Sequence, residues 1–253
     1  MNGGIQMMTN NDWGTLRILF PYVSFESKIT NDDQIKNIVC KTAYRDMMPR
    51  TLKGIGKAKN ENGDLYKDLM LDYVCERIIS YLKGSAPESF EEYTTWHRET
   101  CEEMVSIFHS SGLNFTHGKA QKLINITFKH LLLFQGAKEE YFIYCHTPID
   151  NNVLRICREK ANIDCIKDNW SGINDYGYYL ELQNKISEFL ISDNNKEYRL
   201  ENNVPATNLI FDFYAWIEGG GKDNLKEHWS YKAKEYEFYS NNKELINSIL
   251  EKL

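Results

Sequence analysis

The sequence lacks any apolar run approaching the roughly 18 to 20 residues that a membrane span needs. Its longest candidate, Leu131 to Phe134, lies inside a charged stretch. It also lacks a CxxC pair among its six cysteines (Cys40, Cys75, Cys101, Cys145, Cys157 and Cys165), which takes support from iron–sulfur and zinc-ribbon readings. Cysteines dispersed in this way, in a chain of 253 residues without an export signal, read as reduced thiols rather than a disulfide framework. Cys145, His146, Cys157 and Cys165 follow no standard metal-ligand spacing, and neither a metal nor another cofactor is expected. Residues Met1 to Asn11 carry neither the basic flank nor the apolar core of a signal peptide, so the expected location is the cytoplasm. No internal repeat and no low-complexity tract breaks the chain.

A hydrophobic content of 42% suffices for a real core, in one large domain or two small ones. The net charge of -6 excludes a protein coated in positive charge, although a nucleic-acid enzyme needs only a local basic face. Such a face is available: Lys36, Lys41, Arg45, Arg50, Lys53, Lys57 and Lys59 stand against a single acid, Asp46. Within it, Gly54-Ile55-Gly56 has the glycine–hydrophobic–glycine pattern of a helix-hairpin-helix turn, whose backbone amides meet phosphate. Asn60 to Asp64 then supplies turn formers that oppose a second helix.

Apolar periodicity predicts helices over Asp33 to Met48, Asp64 to Lys83, and Ser85-Ala86-Pro87-Glu88 to about Ser110. Further helices are predicted from Gly118 to Phe134, from about Asp150 to Lys160, from Asp175 to Leu190, and from Asn208 to Ile217. Asn224 to Leu253 reads as a charged helical arm, and Leu16 to Phe25 as a short extended segment. The stripe containing Tyr93, Trp96, His97 and Phe108 reads as packing, with His97 structural.

Two residues carry possible chemistry. Lys122 lies early in an apolar helix, where desolvation favours a nucleophilic amine, although alone it also fits a snorkelling surface cation. Asp150 lies at a helix start, where backbone amides and the helix dipole favour an anion. Thr147-Pro148-Ile149-Asp150 equally fits a capping box with Thr147 at the N-cap and Asp150 at N3. The combination, 28 positions apart, is what singles the two out.

The order Gly118, Lys122, Asp150, Val153, Arg155 resembles the helix-hairpin-helix superfamily of DNA base-excision glycosylases, over about Thr116 to Arg158. The Pro148-Ile149-Asp150 entry looks most like the archaeal 8-oxoguanine DNA glycosylase branch. The resemblance implies a mostly α, two-lobed fold in one helical unit, with Lys122 attacking the sugar C1′ and Asp150 supporting the developing oxocarbenium ion. Lys119 is a rival for the lysine role. Polar and stacking contacts to the base then fall to Asn125, Asn151, Asn152, Trp170 and Tyr176. DNA backbone contacts fall to Gly118, Lys119, Arg50, Lys53, Lys57 and Lys59. The expected function is a monomeric DNA N-glycosylase removing a damaged or modified base, in repair or in defence against phage with modified DNA, with Schiff-base lyase activity as an option. The alternative is a non-catalytic helical protein that binds nucleic acid or a protein partner.

Overall fold

The computed structural model describes residues 31–47, 51–133, 137–165, 169–192, 206–216 and 244. The extended segment expected at Leu16 to Phe25, the basic residue Arg50, and the C-terminal arm apart from Glu244 lie outside them. The described part is mostly helical. Its one β pairing is an isolated antiparallel bridge between Lys59 and Leu65. None of the described helices is long and apolar enough to cross a membrane.

The first helical run is continuous, but its geometry changes along its length. Helix α1 (Asp32–Asn37) begins at Asn31, whose side chain accepts from Gln34 N while the Gln34 side chain accepts from Asn31 N. It widens into a π-helical stretch, Ile38–Ala43, and closes as the short α2, Tyr44–Asp46. A turn containing Gly54, at φ +91°, leads to the Lys59–Leu65 bridge and α3 (Tyr66–Lys83). The turn formers Asn60 to Asp64 do interrupt the hairpin, because Asp64 and Gly63 bond back to Asn60 instead of continuing a helix.

Helix α4 (Phe90–Ile107) starts five residues later than the Ser85 start expected from Pro87. Ser89 is its N-cap, accepting from Glu92 N. After it come α5 (His117–Leu132), a 3-10 turn Glu139–Tyr141, α6 (Asn151–Glu159), a 3-10 turn Trp170–Gly172, α7 (Tyr176–Ile191) and α8 (Asn208–Trp216).

Helix α5 occupies the centre. It packs against the π-helical stretch, α2, α4, the Trp170–Gly172 turn, α7 and α8, and every residue from Gly118 to Leu132 is buried. Its apolar residues Ala120, Leu123, Ile124, Phe128 and Leu131 join one hydrophobic core with Val39, Tyr93, Val153 and Phe211. A helix enclosed on all sides also buries its polar residues. Seven of them on α5 (Lys119, Gln121, Lys122, Asn125, Thr127, Lys129 and His130) therefore need partners from its neighbours.

Candidate functional site

The way those partners are found builds the site. Gln121 Nε2 donates to Ile149 O at 2.9 Å, and its Oε1 accepts from Ile149 N at 3.1 Å. Thr147 is held in the same manner by α7, its N–H donating to Gln183 Oε1 at 3.0 Å and its carbonyl accepting from Gln183 Nε2 at 2.8 Å. Asn208 of α8 donates to Gln183 Oε1 and backbone oxygen and so fixes that amide. Side-chain amides from two helices thus take the place of a neighbouring strand and straighten Thr147 to Ile149. Asp150 emerges from this brace at a fixed point.

Asp150 is itself the N-cap of α6. Its Oδ1 accepts from Asn152 N at 2.9 Å and Val153 N at 3.0 Å. This corrects the capping box: Thr147 is part of the extended lead-in, and its hydroxyl caps nothing among the described residues. A Thr-to-Glu style box needs its acid at N3, whereas here the carboxylate is short enough to reach N2 and N3 from the cap position. One oxygen caps and the other turns toward α5. Oδ2 lies 3.4 Å from Lys122 Nζ.

Lys122 is 4% exposed, and its amine also stands 4.2 Å above the centre of the Trp170 ring. With Asp150 it lines a cleft of about 360 Å³, whose other walls are Arg45, Asp46, Ile126, Lys129, His130, Pro148, Asn152, Asp212 and Trp216. Lys122, Ile126, Lys129 and His130 form one stripe of α5 at helical spacing. Each charged or ionisable member of that stripe meets a carboxylate from a different element. Lys122 meets Asp150, Lys129 meets Asp212 of α8 in a close ion pair, and His130 Nε2 lies 3.1 Å from Asp46 Oδ2 of α2. Burial pushes the Asp212 carboxyl above its ordinary range; the Lys129 ammonium pulls it back, and the Asp150 charge pushes it up again. Asp212 and Asp150 therefore act on one another across the cleft.

The other expected site residues divide sharply. Asn152 lines the cleft, while its neighbour Asn151 is exposed and does not. Asn125 is a core residue, fully buried, donating to Gln121 Oε1, Thr147 O and the Tyr179 hydroxyl. Tyr176 offers no stacking face, because its ring is buried and its hydroxyl lies between His97 Nδ1 at 2.8 Å and Thr94 O at 3.3 Å. Trp170 is 2% exposed and faces the lysine rather than the cleft lumen.

Gly118 is no phosphate turn. Its N–H donates to Ile173 O at 2.8 Å, and a Cβ there would stand 2.0 Å from Trp170 O. Lys119 has its amine surrounded by Asn114 O, Thr116 Oγ1 and Ser171 O, and burial lowers its pKa. Three acceptors account for its three donors, so of the two rival lysines, Lys119 and Lys122, it is Lys122 that lines the cleft. Lys53, Lys57 and Lys59 are exposed on the glycine turn and do not line the cleft. The amides of that turn are partly used internally, Lys57 N and Ala58 N both donating to Gly54 O. Among the described residues of the same basic stretch, Arg45 reaches the cleft wall.

Sequence reasoning missed Asp212, Asp46, His130 and Trp216. The only signal for them was negative: Lys129, seven residues after Lys122, repeats a cation on a helix that is otherwise core, and a buried cation requires an acid. Cys145, His146, Cys157 and Cys165 are buried, and no group of three or more metal-ligating side chains gathers among the described residues. Compared with family models, with curated proteins and with solved structures, the chain matches none.

Proposed function

We propose that the protein is a DNA N-glycosylase that removes a damaged or modified base, working as a cytoplasmic monomer with the two-lobed architecture of helix-hairpin-helix glycosylases. The observation that carries this reading is the 3.4 Å contact between Lys122 and Asp150 inside a cleft. An amine and a carboxylate held together at a helix start, 28 residues apart in sequence, are what stepwise cleavage of an N-glycosidic bond uses.

A nucleotide extruded from the duplex would place its sugar C1′ at the pair and its base in the cleft. The C1′–N bond breaks with its electron pair leaving on the base, and the Asp150 anion stands against the cationic sugar. Once the cation has formed, Lys122 passes a proton through Asp150 to the departed base and adds its lone pair to C1′. The resulting ammonium gives a proton through Asp150 to the ring oxygen as the ring opens to a Schiff base, which either hydrolyses or undergoes strand-cleaving elimination. Lys129 and Asp212 offer the base a donor and an acceptor, and Trp216 offers it an aromatic wall. The cleft volume falls within the range of small-molecule sites.

The test is incubation with a panel of modified-base duplexes, followed by alkali to reveal abasic sites and by borohydride to trap the Schiff base. Asp150→Asn, which keeps a good N-cap, is expected to lower base release by about 10² to 10³-fold. Lys122→Met is expected to remove trapping. Undiminished release from Asp150→Asn, or persistent trapping in Lys122→Met, refutes the assignment. Failure on every duplex favours the non-catalytic reading, in which the exposed Lys53, Lys57 and Lys59 contact a partner away from the cleft.

A further inference from the structure

We infer that Trp170 is a positioning residue for Lys122, seated beneath its amine by a dedicated clamp on the first turn of α5; this rests on the glycosylase reading for its chemical consequence.

The clamp consists of Thr116, Gly118 and Lys119. Thr116 Oγ1 donates to Ser171 O at 2.8 Å, Gly118 N to Ile173 O at 2.8 Å, and Lys119 Nζ to Ser171 O at 2.8 Å. Gly118 lets the Trp170 carbonyl approach so closely that any side chain would collide with it. Three donors from one helical turn thus fasten the Trp170–Gly172 turn to α5. Lys122 lies one helical turn beyond Gly118 and on the same side. Docking the turn at Gly118 therefore brings the indole under Lys122, 4.2 Å from Nζ to the ring centre.

A lysine side chain has four flexible bonds, and ordering it costs conformational entropy. Asp150 constrains only the tip, through one contact at 3.4 Å. The indole face supplies a second, independent constraint, since a cation prefers the face of tryptophan over other rings. Together they hold the amine between the carboxylate and the indole on the wall of the cleft, where an incoming C1′ would lie. Trp170 is 2% exposed and does not line the cleft, so its connection to the cleft runs through Lys122.

The experiment compares Trp170→Leu, which removes the π face, with Trp170→Phe, which retains one, after melting curves establish that both are folded. Trapped Schiff base and released base are measured on the same duplex. Trp170→Leu is expected to lower trapping about tenfold, as loss of a desolvated cation–π contact implies, and base release by no more than about threefold. Trp170→Phe should restore trapping to within about threefold of the parent. Parallel loss of both activities, with no rescue by phenylalanine, would mean that Trp170 only packs the core and overturns the proposal.

A second measurement is independent of any substrate. In protein labelled with ¹³C and ¹⁵N at lysine, the Lys122 Hε resonance, identified by its absence in Lys122→Arg, should be shifted upfield by the ring current. That shift should persist in Trp170→Phe and vanish in Trp170→Leu. An ordinary Hε position in the parent protein overturns the proposal even if no duplex is processed, whereas inactivity on every duplex with the upfield shift present overturns only the glycosylase reading.

Discussion

Two buried polar networks meet on α5, and they are made of different chemistry. On the side of the cleft, the stripe Lys122, Lys129, His130 faces the carboxylates Asp150, Asp212 and Asp46. On the interior side, Asn125, Gln121, Gln183, His97, His146, Tyr176 and Tyr179 are linked through amides, imidazoles and hydroxyls, with His146 Nδ1 2.9 Å from the Tyr179 hydroxyl and its Nε2 3.1 Å from Thr94 Oγ1. The interior network carries no charge because burial drives its histidines to the neutral form: His97 is lowered to about 3, and His146 well below its ordinary value. The desolvation cost of a charge is several kcal/mol and that of a bonded amide far less, so the charges lie along the cleft and the neutral groups within. The neutral network fixes the backbone leading to Asp150, and the charged one lines the cleft with ionisable groups.

The largest expected effect breaks the charged side. Asp212→Asn leaves Lys129 without its carboxylate and should cost about 3–5 kcal/mol in denaturant unfolding. The double variant Lys129→Met, Asp212→Leu, which replaces the pair by apolar groups, should cost much less. A loss under about 1 kcal/mol in Asp212→Asn would show that the pair does not tie α8 to α5.

Acid breaks the neutral side. His97 and His146 take up protons in the unfolded chain near 6.5 but resist protonation when folded, so below that pH the unfolded state binds more protons and gains stability. Stability should be fully present above about pH 7 and fall by up to about 1.4 kcal/mol per pH unit for each histidine as the pH drops below 6.5, the His97 share levelling off near pH 3. Urea titrations at pH 7.5, 6 and 5 measure this, and equal stabilities would contradict the buried neutral pair.

The smallest effect comes from lysines outside both networks. Lys53→Ser, Lys57→Ser, Lys59→Ser together should leave the melting temperature within about 2 °C, since exposed charges contribute little. If that turn touches DNA, its loss should reduce the salt dependence of duplex binding by up to about three contacts' worth while leaving base release at saturation unchanged. A large fall in saturated release would instead place these lysines in the chemistry.

Elements whose burial repeats along the chain are legible in the sequence, and the partners of buried polar groups are not. Helix α5 and α6 were readable from spacing, because their apolar faces repeat at helical intervals and polar caps precede them. The pair Lys122 and Asp150 was readable because both stand near helix starts. Asn125 and Tyr176 were misplaced because a polar group in a core looks the same in sequence as a polar group facing a ligand. Only the identity of its partners, Tyr179 and Thr147 for Asn125, and His97 and Thr94 for Tyr176, separates the two cases. Gly118 and Lys119 were misread for a related reason. A glycine and a lysine at a helix start fit phosphate, but they equally fit a backbone docked at van der Waals contact.

By itself the sequence determined the helical class, an apolar helix from about Gly118 to Phe134, and the presence of a lysine and an aspartate that could serve as a reactive pair. Tertiary structure alone decided that the two meet at 3.4 Å, that Asp150 is the cap rather than the third residue of a box, and that Asp212, 62 positions after Asp150, shares their cleft. The physical reason is that periodicity reports which side of an element is buried, whereas the partner of a buried charge is set by which distant elements pack there. Trp170 shows this most plainly. Nothing in its neighbourhood along the chain points to Lys122, and a clamp on Gly118 one turn away brings the two together.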